Sequence, residues 1–372
     1  MTEYLRGHTL LRNVLLALAA GAALFALTFV LSPFRNFELA TVFAYLCATA
    51  GLTVLIGQTG QLSLGHGAMM ATGAYTCALV ANRLGDGGTT GPTLLLVPLV
   101  GAVVVTSLVG VVIGLAAARL SGPYLAGLTL ALTIAVPAIT TTFADRLGGD
   151  QGLPVFVEPA PLALGPTFPL EQWQAWISGV GALLTMLLLA NLTHGRFGRA
   201  MRAVREDEVG ARLAGIDVAR TKVLAFVVSA ATAGLGGALI AVETQAVSPG
   251  AYGLELSLFL VVAVVVGGLG HLAGAVWGAL LLVALPELAD SLADNLPVSA
   301  SLAERLQGNL SLLVFGLVLV VVPILMPRGI HGIYASVAGR FRAARDTRSV
   351  PPAPFTEGRD DTPTKSSESI DV

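Results

Sequence analysis

Long stretches without a charged side chain dominate the chain. The windows free of Asp, Glu, Lys and Arg cover residues 13–34, 39–82, 87–118, 120–144, 172–193, 223–242, 256–286 and 306–327. A helix needs about 20 apolar residues to cross the hydrocarbon core of a bilayer, and every window is at least that long. The pattern therefore predicts an all-α polytopic membrane protein.

Two of the windows are long enough for two passes each. The breaker-rich sequences GQTGQ (57–61) and GGLG (267–270) divide them. The predicted helices are then 39–56, 66–82, 256–267 and 272–286. About ten transmembrane helices result, with nine or eleven as alternatives. The first window is longer than the apolar core of a typical signal peptide, so we expect it to be a retained helix.

The distribution of Arg and Lys predicts the orientation in the membrane. With ten spans and the N-terminus inside, 17 of the 21 cations fall on cytoplasmic segments. Dropping or adding one span would place one of the two most basic segments, 194–222 or 328–372, outside. We therefore expect an even number of spans, with both termini cytoplasmic.

Composition excludes several other classes of protein. Only 12% of residues are charged, about half the usual share of a soluble domain. The net charge of −2 and the 6% aromatic content give no basis for nucleic-acid binding. The two cysteines, Cys47 and Cys77, exclude a disulfide-rich scaffold and a thiolate zinc cluster.

The hydrophilic segments divide the chain into a transmembrane domain, residues 1–343, and a tail, residues 344–372, that we expect to be disordered. Segment 194–222 is cytoplasmic in the predicted topology and contains an amphipathic helix from about 197 to 213. Arg202 and Glu206 lie four residues apart on it, as do Glu208 and Arg212. One hypothesis is that this helix docks a cytoplasmic partner. The alternative is an inside loop whose arginines only set topology.

The chain lacks the parts of a self-powered transporter. Both lysines, Lys222 and Lys365, follow threonine, so no phosphate-binding loop of the GxxxxGK type is present. Carboxylates at mid-membrane, common in ion-coupled carriers, are almost absent, since Glu243 and Glu255 fall at predicted helix ends. No catalytic or metal site is expected. These features favour a translocation pathway powered by another subunit.

Polar residues cluster where the second and third helices separate. These residues are Gln58, Gln61, Ser63 and His66. Because unsatisfied polar groups are costly in lipid, their side chains must face protein, water or substrate. We predict that they line a translocation pathway, with the free N–H groups of a broken helix suited to a substrate carboxylate. The alternative is that they only satisfy the broken backbone.

Five co-linear stretches resemble the branched-chain amino acid ABC transporter permeases of the LivM type. They are GQTGQLSLGHGAMMATGAYTCAL (57–79), SGPYLAGLTLAL (121–132), GRFGRAMRAVREDEVGARLAGIDVARTKVLAFVVSAATAGLGGAL (195–239), VVVGGLGHLAGAVWGALLLVALPEL (264–288) and MPRGIHGI (326–333). The resemblance covers roughly residues 39–333 and implies a permease similar to those of type II ABC importers, with about ten helices.

The resemblance also implies partners and a coupling segment. The partners would be a second, LivH-like permease, two cytoplasmic P-loop ATPase subunits and an extracytoplasmic solute-binding protein, in a bacterial inner membrane. ATP and Mg²⁺ would bind the ATPase subunits, and this chain would hold no cofactor. Residues 205–215 resemble the ATPase-contacting loop of ABC permeases. The coupling residues implied are Arg199, Arg202, Arg205, Glu206, Asp207, Glu208, Arg212 and Gly215.

Three alternatives remain open from the sequence. Urea and amide importers use very similar permeases, so the substrate is not fixed. An ion-coupled secondary carrier would transport without an ATPase. A membrane scaffold or intramembrane enzyme is a third class, although His66 and His271 are isolated in the sequence.

Overall fold

The chain folds as a bundle of α-helices in the computed structural model. The structure describes residues 9–295, except 121 and 166, together with residues 316, 317, 321, 329, 330 and 332. The chain divides into a unit of residues 1–333 and a unit of residues 334–372, and the described residues belong to the first. The predicted span 306–327 and the predicted tail 344–372 lie outside the described residues, apart from the isolated positions just named.

Helices account for most of the described chain. In order they are α1 (Thr9–Thr28), α2 (Pro33–Thr59), α3 (His66–Asp86), α4 (Pro92–Ala117), α5 (Pro123–Thr142), α6 (Ala144–Leu147), α7 (Leu170–His194), α8 (Arg196–Glu206), α9 (Glu208–Leu213), α10 (Val218–Thr244), α11 (Leu254–Gly268) and α12 (Leu272–Asn295). Two short strands, β1 (Leu153–Pro154) and β2 (Ala246–Val247), pair antiparallel. Single 3₁₀ turns cover Gly149–Gln151, Leu162–Leu164 and Pro249–Tyr252.

Local sequence explains where several helices begin and end. Ser32 caps α2, with its side chain accepting the Arg35 N–H, and Pro33 occupies the first turn, where its missing N–H costs nothing. Gly60 ends α2 in a left-handed conformation, with φ of +70°. Helix α12 continues past its predicted end at 286 to Asn295, since no glycine follows Pro286 in that stretch.

Helix α10 is the centre of the bundle. Its glycines let three neighbouring helices approach closely, since Gly234 lies against the Thr106 side chain of α4, Gly236 against the Ala44 backbone of α2, and Gly237 against the Met70 backbone of α3. Buried side chains such as Phe226 and Leu239 complete this core. By contrast, a third or fewer of the residues in the apolar stretches of α4, α5 and α7 are buried.

Hydrogen bonds group the helix termini at two opposite ends of the bundle. At the loop end, which carries residues 143–169, Arg35 pairs with Glu287 at 3.0 Å and β1 pairs with β2. At the basic end, which carries α8 and α9, Gln58 Nε2 donates to the Gly270 carbonyl at 3.2 Å. From α1 to α12, successive long helices therefore alternate in direction, which is what the predicted topology requires of this part of the chain.

Six described segments are long and apolar enough to cross a membrane. They are Pro33–Thr59, Pro92–Ala117, Pro123–Thr142, Leu170–His194, Val218–Thr244 and Pro249–Gly268. Shorter apolar stretches run over Asn13–Thr28 and Leu272–Leu288. The all-α membrane fold is confirmed, and the total of ten spans stays a prediction.

Candidate functional site

The break between α2 and α3 passes through the bundle interior, and hydroxyl groups hold it in place. Thr129 Oγ1 of α5 accepts the Leu64 N–H at 3.0 Å, and Thr133 Oγ1 donates to the Leu64 carbonyl at 3.0 Å. Ser257 Oγ, in the first turn of α11, accepts the Gly67 N–H at 2.9 Å. These contacts satisfy backbone groups that the broken helix would otherwise leave unpaired in an apolar interior.

The four predicted pathway residues are all at this break, and they differ in their contacts. His66, the first residue of α3, is fully buried, and its Nε2 lies 2.7 Å from Ser229 Oγ of α10. Ser63 Oγ accepts the Gly65 N–H at 3.3 Å and so serves its own backbone. Gln61 is buried, and within the described structure neither polar atom of its side chain has a hydrogen-bond partner. Nδ1 of His66 also lacks a partner there, but Gln61 is the residue of the four whose whole side chain is left without a hydrogen bond in the described structure.

Gln58, at the end of α2, connects α8 at the basic end to the turn between α11 and α12, which is a second break in the bundle. Its Oε1 accepts from Arg202 Nη1 of α8 at 3.1 Å, while its Nε2 donates to the carbonyl of Gly270 in the turn between α11 and α12. Arg202 also donates to the Thr193 carbonyl at 3.1 Å, and Arg205 donates to the Gly57 carbonyl. A continuous set of hydrogen bonds therefore runs from α8 to the end of α2 and to the start of α12.

The predicted helix over 197–213 is wrong, because the structure has two helices there. Helix α8 ends at Glu206, and Asp207, in an extended conformation, caps α9 by accepting the Val209 N–H at 2.9 Å. The Glu208–Arg212 pair forms at 3.8 Å. Arg202 bonds into the bundle through Gln58 instead of pairing with Glu206. We call α8 and α9 together the basic helix pair.

The outer surface of the basic helix pair mixes charge with exposed apolar side chains. Leu213 is 86% exposed and Val209 is 65% exposed. Neither was among the predicted coupling residues. Those predicted coupling residues that are exposed to solvent are Arg199, Arg202, Arg205, Glu206, Asp207, Arg212 and Gly215. Val209 and Leu213 lie four residues apart on one face of α9, and adjoining exposed apolar side chains with a polar rim are a feature of interaction surfaces.

An ion pair between a buried lysine and a partly exposed glutamate links α9 to α10. Lys222 Nζ lies 2.5 Å from Glu208 Oε1, and the Lys222 side chain is only 6% exposed against 41% for Glu208. The sequence did not suggest this pair, because residues 14 apart on two different helices follow no local spacing rule.

Glu208→Gln should destabilise the protein more than Lys222→Met. The first change leaves the Lys222 ammonium buried without an anion, whereas the second leaves Glu208 free to be hydrated. We expect losses of about 1–3 kcal/mol for Glu208→Gln and less than about 1 kcal/mol for Lys222→Met, given that Glu208 is partly exposed. Thermal unfolding of both variants in detergent measures this, and the reverse order would show that the pair does not hold α9.

A buried carboxyl group lies near the loop end. Glu243 is 5% exposed in the last turn of α10, and its Oε1 accepts from Ser178 Oγ of α7 at 2.6 Å. Gln174 Nε2 donates to the Val242 and Glu243 carbonyls beside it. The sequence placed Glu243 at a helix end, which is right, but gave no indication of its burial. In the part of the chain that the structure describes, no three His, Cys, Asp or Glu side chains are grouped as metal ligands would be.

Comparison with known proteins gives a consistent set of matches. Residues 35–323 match the family described as branched-chain amino acid transport system / permease component. The chain is 32% identical over 267 residues to the high-affinity branched-chain amino acid transport system permease protein LivM of Salmonella typhimurium, covering 66% of this chain and 61% of that protein. It is 30% identical to LivM of Escherichia coli over 66% of this chain and 61% of that protein.

A second kind of relative covers more of both chains. The permease protein LivH of Escherichia coli is 28% identical over 312 residues, which is 82% of this chain and 96% of that protein. By contrast, the match to the two LivM relatives spans only about 61% of their length. No solved structure matches it. With the apolar helices, these matches identify a multi-pass membrane protein.

Proposed function

Because the chain belongs to the family of branched-chain amino acid transport system permease components, we propose that it is the membrane-spanning subunit of an ATP-binding-cassette importer. The observation that carries the proposal is the basic helix pair, which presents Leu213 and Val209 to solvent while Arg202 reaches into the bundle. The chain has no phosphate-binding loop of its own. Its substrate would be a branched-chain or related amino acid, with urea or an amide as the alternative.

The assembly would contain partners that supply energy and substrate. Relatives are named both LivM and LivH, which supports a pair of different permease chains. Two cytoplasmic ATPase subunits would bind ATP and Mg²⁺ and contact the basic helix pair. A solute-binding protein would dock at the loop end. In this proposal the basic end and both termini would lie in the cytoplasm of a bacterium, with the bundle in its inner membrane.

Transport would proceed by alternating access of the bundle. Closure of the ATPase dimer would move the basic helix pair, and the bonds from Arg202 and Arg205 would transmit that movement to the breaks at 60–65 and 269–271. The contacts of Gln58 with both Arg202 and Gly270 support this route. Because these breaks interrupt the helices that cross the bundle, shifting them would change which side the pathway opens to.

Leu213→Asp tests whether the basic helix pair docks the ATPase. Burying a leucine side chain in a protein contact contributes about 1.5–3 kcal/mol, so we expect co-purification with the ATPase subunits to fall roughly tenfold or more. Membrane insertion should be unchanged, because Leu213 is 86% exposed in this chain. Leu164→Asp, at the loop end, is the matched control. Undiminished retention of the ATPase by Leu213→Asp would refute the docking role.

Gln61→Ala tests the proposed pathway. Because the Gln61 amide has no hydrogen-bond partner in the described structure, removing it should leave stability unchanged or raise it. If Gln61 has no role in transport, uptake would persist as well. We expect stability to persist and uptake to fall roughly tenfold, since one hydrogen bond to a charged substrate group contributes about 1.5–3 kcal/mol. Uptake of radiolabelled leucine by the assembled importer in proteoliposomes measures this. Unchanged uptake would remove Gln61 from the pathway.

The burial of Glu243 supports a second candidate function, that of an ion-coupled secondary carrier. A buried carboxyl group within a helix bundle is a feature of ion-coupled carriers, and Glu243 Oε2 has no hydrogen-bond partner in the described structure. Liposomes that contain this chain alone distinguish the two functions. Uptake driven by an ion gradient would favour the secondary carrier, and uptake only with ATPase subunits and ATP would favour the importer.

A further inference from the structure

A buried carboxyl group of α10 lies apart from the proposed pathway. Glu243 is the penultimate residue of α10 and is only 5% exposed. Along that helix it is about four turns, or roughly 20 Å, from Ser229, which bonds His66 at the break between α2 and α3. No step of the proposed transport mechanism uses Glu243.

The hydroxyl groups around Glu243 leave one of its oxygens without a donor. Ser178 Oγ of α7 donates to Oε1 at 2.6 Å, and no partner reaches Oε2 in the described structure. Thr41 of α2 lies beside the carboxyl group, but its hydroxyl donates to the Phe37 carbonyl at 3.0 Å. Because a hydroxyl has one hydrogen and two lone pairs, Thr41 is placed to accept a hydrogen bond here and not to donate one.

The amide beside Glu243 has no hydrogen to spare either. Gln174 Nε2, one turn from Ser178 on α7, donates to the Val242 and Glu243 backbone carbonyls at 3.1 and 3.2 Å. An amide nitrogen of this kind has two hydrogens, so both are used. Gln174 thus caps the end of α10 and leaves Glu243 Oε2 without a donor.

No positive charge compensates an ionised Glu243. Among the described residues, no Arg, Lys or His side chain forms an ion pair with it. The titratable groups that face it are Tyr45 and Cys47 of α2 and Tyr252 of the 3₁₀ turn before α11, and none of them is a cation. Glu243 also lies in the last turn of its helix, where the backbone carbonyls carry partial negative charge. A carboxylate here would be buried without a counter-charge, which is strongly unfavourable.

A proton fits this site better than a metal ion. Metal ions in proteins take four or more ligands, whereas the described residues group no three His, Cys, Asp or Glu side chains. Glu243 also lines neither of two cavities that the described residues form, one of about 590 Å³ beside Gln174 and one of about 580 Å³ between α1, α4 and α7. A proton needs no cavity, and on Oε2 it has the Thr41 hydroxyl beside it as an acceptor.

We propose that Glu243 is a proton-binding site, with the proton on Oε2 while the Ser178 hydrogen bond joins α7 to α10. When the loop end opens, that bond breaks and water enters. The proton then passes from Oε2 to a water molecule and leaves a hydrated carboxylate. As part of the proposed importer, on which this inference rests, the site makes the outer side sensitive to external pH. Since the closed arrangement holds one more proton than the open one, a fall in pH favours the closed arrangement.

Infrared difference spectroscopy tests for the proton directly. The full-length chain in detergent at neutral pH is compared with Glu243→Gln, which keeps the shape of a neutral carboxyl group. We expect the parent to show a protonated-carboxyl C=O band that Glu243→Gln lacks. Ser178→Ala should move that band to higher frequency, because Oε1 loses its hydrogen bond. Glu206→Gln, at an exposed position of the basic end, is the matched control and should leave the band unchanged.

Uptake by the assembled importer in proteoliposomes tests the consequence. As the external pH falls from about 9 to about 6, with internal pH and ATP held constant, we expect the rate of the parent to fall at least about threefold. Glu243→Gln should stay at the low rate throughout, because its amide cannot lose a proton to water. Glu206→Gln should keep the pH profile of the parent. Thermal unfolding and retention of the ATPase subunits, both like the parent, guard against a folding defect in Glu243→Gln.

Two results would overturn the proposal. One is a difference spectrum in which Glu243→Gln removes only the bands of an ionised carboxylate, and the other is a pH profile that Glu243→Gln shares with the parent. If Glu243→Gln does not fold, the presence or absence of the Ser178→Ala shift decides the first test. Failure of the parent to take up substrate with ATP would instead refute the proposed importer, without changing the infrared result.

Discussion

Gly237→Ala is expected to destabilise the bundle. A β-carbon at Gly237, in the middle of α10, would overlap the carbonyl oxygen of Met70 in α3. Because both overlapping groups belong to helix backbones, α3 and α10 would have to move apart. Overpacking of this kind costs about 1–3 kcal/mol or more, which lowers the melting temperature by roughly 5–10 °C in a domain of this size.

Gly127→Ala provides the matched control for this prediction. Gly127 also lies inside a membrane helix, α5, but its β-carbon would meet nothing within 4 Å. Removing the backbone freedom of a helical glycine should then stabilise the protein by about 0.5–1 kcal/mol. Thermal unfolding and size-exclusion profiles of both variants in detergent measure the contrast. Equal stability of the two variants would mean that α3 and α10 do not approach as closely as described.

The sequence predicted the helices better than it predicted their packing. The lack of charge over 87–118 located α4, which runs from Pro92 to Ala117, because excluding charge from hydrocarbon is a strong and local constraint. Which helix is central depends instead on which surfaces fit one another. All the spans are apolar, so hydropathy does not distinguish the buried α10 from the exposed α4. The closely spaced Gly234, Gly236 and Gly237 are the sequence feature that marks α10.

The candidate site was predicted in part. The polar cluster at 58–66 correctly located the break between α2 and α3, because polar side chains are costly in an apolar environment and Gly60 adopts the left-handed conformation that ends α2. The hydroxyls that hold the break were missed, since they come from α5, α10 and α11. Thr129 and Thr133 were nevertheless recognisable, because residues four apart lie on one face of a helix and both are polar in an apolar segment.

The error at 197–213 has a local cause. The charge pattern fits one amphipathic helix, and sequence periodicity alone does not favour two helices. Asp207 ends the first helix by using its side chain to cap the second. Aspartate is a strong N-cap residue, so Asp207 itself indicated the start of a second helix. The amphipathic pattern on both sides of Asp207 favoured one continuous helix instead.

Arg202→Ala is expected to uncouple ATP hydrolysis from uptake while leaving the ATPase bound. Arg202 is the residue of the basic helix pair that bonds to Gln58, and Gln58 in turn bonds to Gly270. Removing the guanidinium breaks the route from α8 through Gln58 to Gly270, while Arg205 keeps its bond to the Gly57 carbonyl. The apolar surface at Leu213 is unchanged. Coupling free energies between sites are typically about 1–3 kcal/mol, or roughly 5–150-fold. We expect the ratio of uptake to ATP hydrolysis in proteoliposomes to fall at least tenfold.

A double-mutant cycle separates coupling from docking. If Arg202 acts through Gln58, then Gln58→Ala should have little further effect in the Arg202→Ala background, because both changes break the same connection. Arg199→Ala is the contrasting variant, since Arg199 is exposed on the same helix. It should weaken ATPase binding by no more than about 1 kcal/mol, the usual contribution of an exposed ion pair, and keep the ratio of uptake to hydrolysis. Additive effects of Arg202→Ala and Gln58→Ala, or loss of uptake only in proportion to lost ATPase binding, would mean that Arg202 contributes to docking alone.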